Sequence, residues 1–171
     1  MSETLMRVPY SATLGQVTSD WNGLGTEFRP IGKSIVFSQS RICNFADYAN
    51  DHQWIHVHPE RAFQESPLRR TIVHGAAVLV EMFSRMIEVA GLVEVEGLKS
   101  VLHSGGSYRF GPPVTVDQPI QAYWRPSDDE HKKPLIAPKR ITLWVDYRFC
   151  AVGKEYKVAL WGDVCAIFTR R

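Results

Sequence analysis

The 171-residue sequence predicts an α+β domain in which an antiparallel sheet wraps one long central helix. Three observations carry this. Helix-period segments fill the first half of the chain, strand-period segments fill the second, and the most apolar helix lies between them, opening at His74 and Gly75. Helices followed by strands argue for an α+β layer arrangement rather than an alternating α/β one.

The length suits one domain with a proper core and is short for two. We expect a single domain over 1–171, with an N-terminal extension and the first strand in 1–33. Hydrophobic residues at 44% and charged residues at 22% are ordinary for a globular chain, so composition says little about function. A formal charge of +2 lacks the concentrated basic excess that nucleic-acid binding needs. The opening MSETLMRVPYSATLGQ has no basic stretch followed by an apolar one, and no apolar run approaches a membrane span. A cytoplasmic protein is the expectation. Cys43, Cys150 and Cys165 show no metal-ligand spacing and read as free, at least half-buried thiols. Cys150 facing Cys165 across neighbouring strands is the alternative.

In chain order, QSRICNFADYAN places Ile42, Phe45, Ala46 and Ala49 on one face of a short helix. Ser38 or Ser40 is its candidate N-cap. That helix leads directly into Asp51, and the following ANDHQWIHV reads as a loop because of Trp54 and Pro59. HGAAVLVEMFSRMIEVAG carries Val78, Leu79, Met82, Phe83, Met86, Ile87 and Ala90 as a broad stripe that Gly91 ends, so this helix should be buried along much of its length. RITLWVDYRFC then alternates Ile141, Leu143, Val145, Tyr147 and Phe149 against polar or amphipathic neighbours, as a strand with one inward face does. SVLHSGGSYRF, PIQAYWR and YKVALWGDVCAIF have the β-branched and aromatic content of further strands. RPSDDEHKKPLIAPK, residues 125–139, sets charges of both signs among three prolines and reads as a long polar loop.

Four of the six histidines lie between positions 52 and 74, with Asp51 at the head of the cluster. Ionisable residues gathered between two helices suggest a site. Asp51 and His56 are poorly matched on a helix, but a loop brings both onto one water molecule. Water addition to an α,β-unsaturated carbonyl compound needs a group that takes a proton from water and one that gives a proton to the α-carbon; a histidine beside a carboxylate suits both. The alternative is that His56 bonds a backbone carbonyl and Asp51 caps the next turn. Gly75 at a helix start is a candidate oxyanion donor through its amide, or a glycine chosen for packing. His56-x-His58 with a carboxylate also permits a metal reading, which stands second because the segment lacks the glycine framing of a strand-borne site.

ANDHQWIHVHPERA followed by TIVHGAAVLVEMF resembles the MaoC-like dehydratases, which include the (R)-specific enoyl-CoA hydratases, and within them the nodulation protein N group. The matching residues are Asp51, His56, Ile72, His74 and Gly75, and the Gln53-Trp54 pair points to the nodulation protein N group. YRFGPPVTVDQPI is similar to a later strand and turn of the family. The resemblance implies a hot-dog fold, dimerising as a homodimer or dimer of dimers. It also implies an Asp51/His56 pair sharing the catalytic water and a thioester carbonyl on the Gly75 amide. The expected reaction is reversible hydration of an enoyl thioester carried by coenzyme A or acyl-carrier protein, with no other cofactor and no metal. Trp54, His58, His74, Arg69 and Arg70 are the candidate substrate-binding residues, with Phe63, Leu68 and Val78 around the acyl chain and Lys132, Lys133 and Arg140 as further phosphate candidates.

Three positions depart from the family pattern. His58 stands where the family usually has aspartate and is expected to alter the local charge around His56. A helix-borne serine that supports the aspartate in relatives falls near Phe83 and Ser84. Asp117 replaces a turn glycine. A thioesterase, or a repurposed binding or biosynthetic member, is the rival reading.

Overall fold

The computed structural model describes residues 6–90 and 93–171, without the side chains of residues 86, 87, 89, 90 and 154–156. The expected helix end at Gly91, and the stripe positions Met86, Ile87 and Ala90, lie outside what is described. The elements are β1 (Met6–Val8), α1 (Leu14–Gly23), β2 (Arg29–Ile35), α2 (Gln39–Ala49), α3 (Trp54–Val57), α4 (Pro59–Glu65), α5 (Gly75–Ala90), β3 (Val93–Val95), β4 (Leu98–Phe110), β5 (Ile120–Pro126), β6 (Leu135–Ala137), β7 (Arg140–Ala151) and β8 (Lys154–Arg170).

The main sheet runs β2-β5-β7-β8-β4, with β6 alongside β7, and every pairing in it is antiparallel. β1 and β3 form a separate parallel pair. α5 packs against β2, β4, β5 and β8. The alternation expected over 140–150 is present: Ile141, Leu143, Val145, Tyr147 and Phe149 are all buried. They meet Val78 and Met82 of α5 in one core.

α2 forms where its apolar spacing places it. Ile42 and Ala46 are buried, and the Ser38 hydroxyl accepts from Arg41 N–H. It stops at Asn50, whose left-handed backbone (φ 52°) turns the chain so that Asp51 begins a new direction. α1 was not expected. Thr13 caps it, and it buries only Val17 and Trp21, too sparse a stripe to stand out against its polar residues.

The segment after Asp51 is more helical than its sequence implies. Pro59 opens α4 at the first turn, where a missing N–H costs nothing, so proline there marks a helix start rather than a loop. The segment 125–139 is likewise shorter as a loop. β5 continues through Pro126, and Leu135, Ile136 and Ala137 pair with Thr142, Ile141 and Arg140 across a two-residue turn. These three are the apolar residues of an otherwise polar stretch, and pairing gives them a neighbour.

The described side chains of α5 bury one stripe. Ala77, Val78 and Met82 are buried, while Val80 and Phe83 are 58% and 37% exposed. The open side of α5 continues onto the edge strand β4, where Val101, Tyr108 and Phe110 are also exposed. Asp117 holds the left-handed conformation (φ 59°) that explains why a glycine suits that turn in relatives. None of the three cysteines is joined in a disulfide; Cys165 lies opposite Trp144 and Cys150 opposite Val158, so they do not face each other. No described helix is long and apolar enough to cross a membrane.

Candidate active site

The site forms where α2 ends, α3 crosses and α5 begins. His56 in α3 is 8% exposed, and its Nδ1 lies 2.8 Å from the Ile72 carbonyl. A carbonyl only accepts, so Nδ1 carries the hydrogen and Nε2 keeps a lone pair. The Gln39 side-chain amide donates to the His56 carbonyl at 2.8 Å and accepts from the buried Thr71 hydroxyl at 2.5 Å, tying α3 to α2 and to the segment before α5. The Ile72 amide bonds back to the Ile55 carbonyl at 3.1 Å. His56 is therefore held from both its backbone and its ring.

His74, 3% exposed, lies against the same residues. Its Nε2–H donates to the Asp51 carbonyl at 3.0 Å and sits 4.0 Å from the Asp51 carboxylate. Its ring stacks on His56 (centroids 3.8 Å apart, planes at 22°) and packs on Phe45 at 5.1 Å. Through these contacts His74 joins Asp51 to His56. Asp51 keeps its carboxylate partly open, 37% exposed, with Oδ1 3.4 Å from the Gln53 amide.

The surroundings set the charges. Burial pushes the His56 imidazolium toward deprotonation, and the adjacent His74 acts in the same direction; the Ile72 carbonyl and Asp51 oppose this without overcoming it. For Asp51, desolvation acts to raise the carboxyl, but the Gln53 amides, then His56 and His74, hold it below the usual carboxylate range. At neutral pH the pair is thus an ionised carboxylate beside a neutral imidazole. His58 makes none of these contacts. It is exposed, between α3 and α4, and lines a shallow cleft of about 460 Å³ with Pro59, Glu60 and Arg61.

Donor atoms of Asp51, His56 and His74 all lie within 4.8 Å of one another. His56-x-His58 is not the pair that gathers. The rings are stacked, and each donates through one nitrogen to a carbonyl and keeps the other as a lone pair, as metal-bound histidines also do.

Gly75 is the first residue of α5, and a Cβ there would sit 3.0 Å from the Phe110 ring. A larger residue would press on that exposed ring, whatever the Gly75 amide does. Trp54 opens α3, with the Arg61 guanidinium 4.7 Å above its ring. Arg69 donates to the Phe63 carbonyl at 3.1 Å and lies over the Phe63 ring, and Arg70 is exposed. Phe63 and Leu68 are exposed while Val78 is in the core, so these three do not share one acyl pocket. Lys132 pairs with Asp129 and Asp163 rather than standing free. Phe83 packs on His103 and Ser84 is exposed; the described partners of the Asp51 carboxylate are Gln53 and His74.

Residues 24–139 match the family model described as the MaoC like domain. The chain belongs to the MaoC-like family. It is 43% identical over 150 residues to nodulation protein N of Rhizobium meliloti (strain 1021), covering 87% of this chain and 89% of that protein. It is 36% identical over 95 residues to 3-hydroxyacyl-thioester dehydratase Z of Mycobacterium tuberculosis (strain ATCC 25618 / H37Rv), covering 54% of this chain and 60% of that one. The strongest sequence alignments span 57–60% of the length of the curated relatives they match. The (R)-hydratase from A. caviae involved in PHA biosynthesis superposes with a TM-score of 0.59 at 21% identity, over 83% of this chain and 98% of that one. The fold of this MaoC-like chain is therefore the hot-dog arrangement, and a 3-hydroxyacyl-thioester dehydratase is among its sequence relatives.

Gln39, Thr71 and the Ile72 carbonyl escape sequence reasoning. Backbone acceptors leave no mark on residue type, and a glutamine opening a helix reads as solvated.

Proposed function

We propose that this MaoC-like protein hydrates trans-2-enoyl thioesters and dehydrates 3-hydroxyacyl thioesters, reversibly, at Asp51 and His56. The observation that carries the reading is the fixed His56 tautomer: Nδ1–H is committed to Ile72, so Nε2 is a lone pair next to an ionised Asp51. Asp51 accepts one O–H of a water and orients it. His56 Nε2 takes the other proton as the water oxygen bonds to the β-carbon, and electron density moves to the thioester oxygen, where the Gly75 amide at the positive end of α5 donates to it. The proton on His56 then passes to the α-carbon, which restores the neutral imidazole and adds one water in all.

The substrate carrier is coenzyme A or acyl-carrier protein, with no further cofactor. Trp54, His58, Arg69 and Arg70 line the approach in this reading, and His74 acts through Asp51 and His56. The exposed apolar strip of Val80, Phe83, Val101, Tyr108 and Phe110 supports a homodimer, since a monomer rarely leaves such a patch uncovered.

Incubation with crotonyl-CoA tests the proposal. Loss of enoyl absorbance without release of thiol is the expected result; free coenzyme A would identify a thioesterase instead. The pH profile tests the roles further. Because the base must be neutral, kcat/KM should rise with pH through the His56 ionisation, with its midpoint below the ordinary histidine value of about 6.5. A midpoint at or above that value would remove His56 from the role.

A further inference from the structure

We propose that the face of the sheet turned away from α5 carries a second site, a cleft between Phe28, Arg109, Arg148 and Trp161 that takes a phosphorylated nucleotide. The strand register fixes which side chains share this face. Arg109 pairs with Trp161, Trp161 with Arg148, and Arg148 with Tyr123, forming one row across β4, β8, β7 and β5. The adjacent row, Phe110, Leu160, Phe149 and Ala122, points the other way: Phe110 touches Gly75 of α5, and the remaining three are buried. The Arg109 row therefore lies opposite the Asp51/His56 side of the sheet.

Charge accounting singles out two cations. Arg125 is paired with Asp128 and Asp146, and Lys132 with Asp129 and Asp163. Among the described residues neither Arg109 nor Arg148 has a carboxylate within ion-pair distance. Arg148 is half-buried and held in place, its guanidinium 4.2 Å from the Phe28 centroid and 5.4 Å from that of Tyr123. Its Nε is buried with no hydrogen-bond partner among the described residues. A positioned, partly desolvated cation with an unused donor is suited to receive an anion.

The cleft has a volume of about 560 Å³, within the roughly 300–1,000 Å³ of pockets that take small-molecule ligands. Its apolar walls include Phe28, Val158 and Trp161, and Trp161 is 41% exposed. An inorganic anion leaves these walls uncovered, and a neutral aromatic leaves the guanidiniums unmet. A base stacked on Trp161 with its phosphates on Arg109 and Arg148 satisfies both. The same chemistry is offered by a free nucleotide or by the nucleotide head of a carrier thioester.

Calorimetric titration with adenosine diphosphate tests the site on the intact chain. Saturable binding is expected, weakened about tenfold or more by Arg109→Ala and by Arg148→Gln, since each removes charge-assisted hydrogen bonds. Trp161→Ala should weaken it as well, with inorganic phosphate competing. Arg109 and Trp161 are exposed, so their variants remain informative even where Arg148→Gln disturbs the sheet. Absence of saturable binding at millimolar nucleotide, or binding indifferent to both Arg109→Ala and Trp161→Ala, overturns the proposal. If the site holds a carrier's head, Arg109→Ala raises KM for crotonyl-CoA and not for crotonyl-pantetheine; if it holds a free nucleotide, both KM values stay as they are. The nucleotide titration stands whether or not the protein proves to be a hydratase.

Discussion

Asp51→Asn and His56→Ala are each expected to lower the hydration rate of crotonyl-CoA by about 10²–10⁴-fold, the range over which a positioned acid or base accelerates proton transfer. The two substitutions remove different things. Asparagine at 51 keeps the shape and the main-chain carbonyl that His74 holds, but loses the charge that orients water. Alanine at 56 removes the Nε2 lone pair and also leaves the Ile72 carbonyl without its donor, so it should cost some stability too. His56→Asn separates these effects by returning a side-chain N–H near that carbonyl. The check is the initial rate of enoyl absorbance loss, with thermal melting measured on each variant. Rates equal to the parent across a range of enoyl chain lengths would dismiss the pair as the catalytic groups.

The largest effect on stability is expected at Trp124. It is 1% exposed on β5, opposite Arg29 of β2 and Tyr147 of β7, and its ring lies 6.2 Å from that of Trp21 on α1. Trp124→Ala leaves a cavity at the junction of α1 with the sheet and should destabilise the domain by about 3–5 kcal/mol. Urea unfolding measures this directly. Tyr48→Ala, at a side chain 89% exposed, is the comparison and should stay within about 0.5 kcal/mol of the parent. A Trp124→Ala midpoint as close to the parent as that of Tyr48→Ala would show that the contact with α1 is dispensable.

What could be read from residues alone follows from how locally each feature is determined. α2 was legible because its stripe and its Ser38 cap lie in one stretch of chain, and β7 because alternation is a property of the strand itself. α1 was not legible, since two buried residues become a helix face only once the sheet supplies Trp124 as a neighbour. β6 was hidden for the same reason: three apolar residues acquire meaning from the strand they pair with. In the candidate site, Asp51 and His56 were singled out by residue type and motif. Their structural roles are filled, with Asp51 accepting from the Gln53 amide and His56 donating to Ile72. The bond that competes with a catalytic role is also the one that fixes the tautomer the proposed role needs. His74 was placed on the substrate by its position in the motif, whereas its partner is a main-chain oxygen that no side-chain pattern reveals. His58 looked influential because it is close in sequence to His56, but the turn from α3 to α4 carries it to the surface.

The bond from His74 to the main chain of Asp51, rather than to its carboxylate, makes the reactive group replaceable without dismantling its frame. Asp51→Asn should therefore serve as a trap: a folded, slow protein on which an acyl thioester rests long enough to be seen, and its chain length read, in a crystal or a mass spectrum.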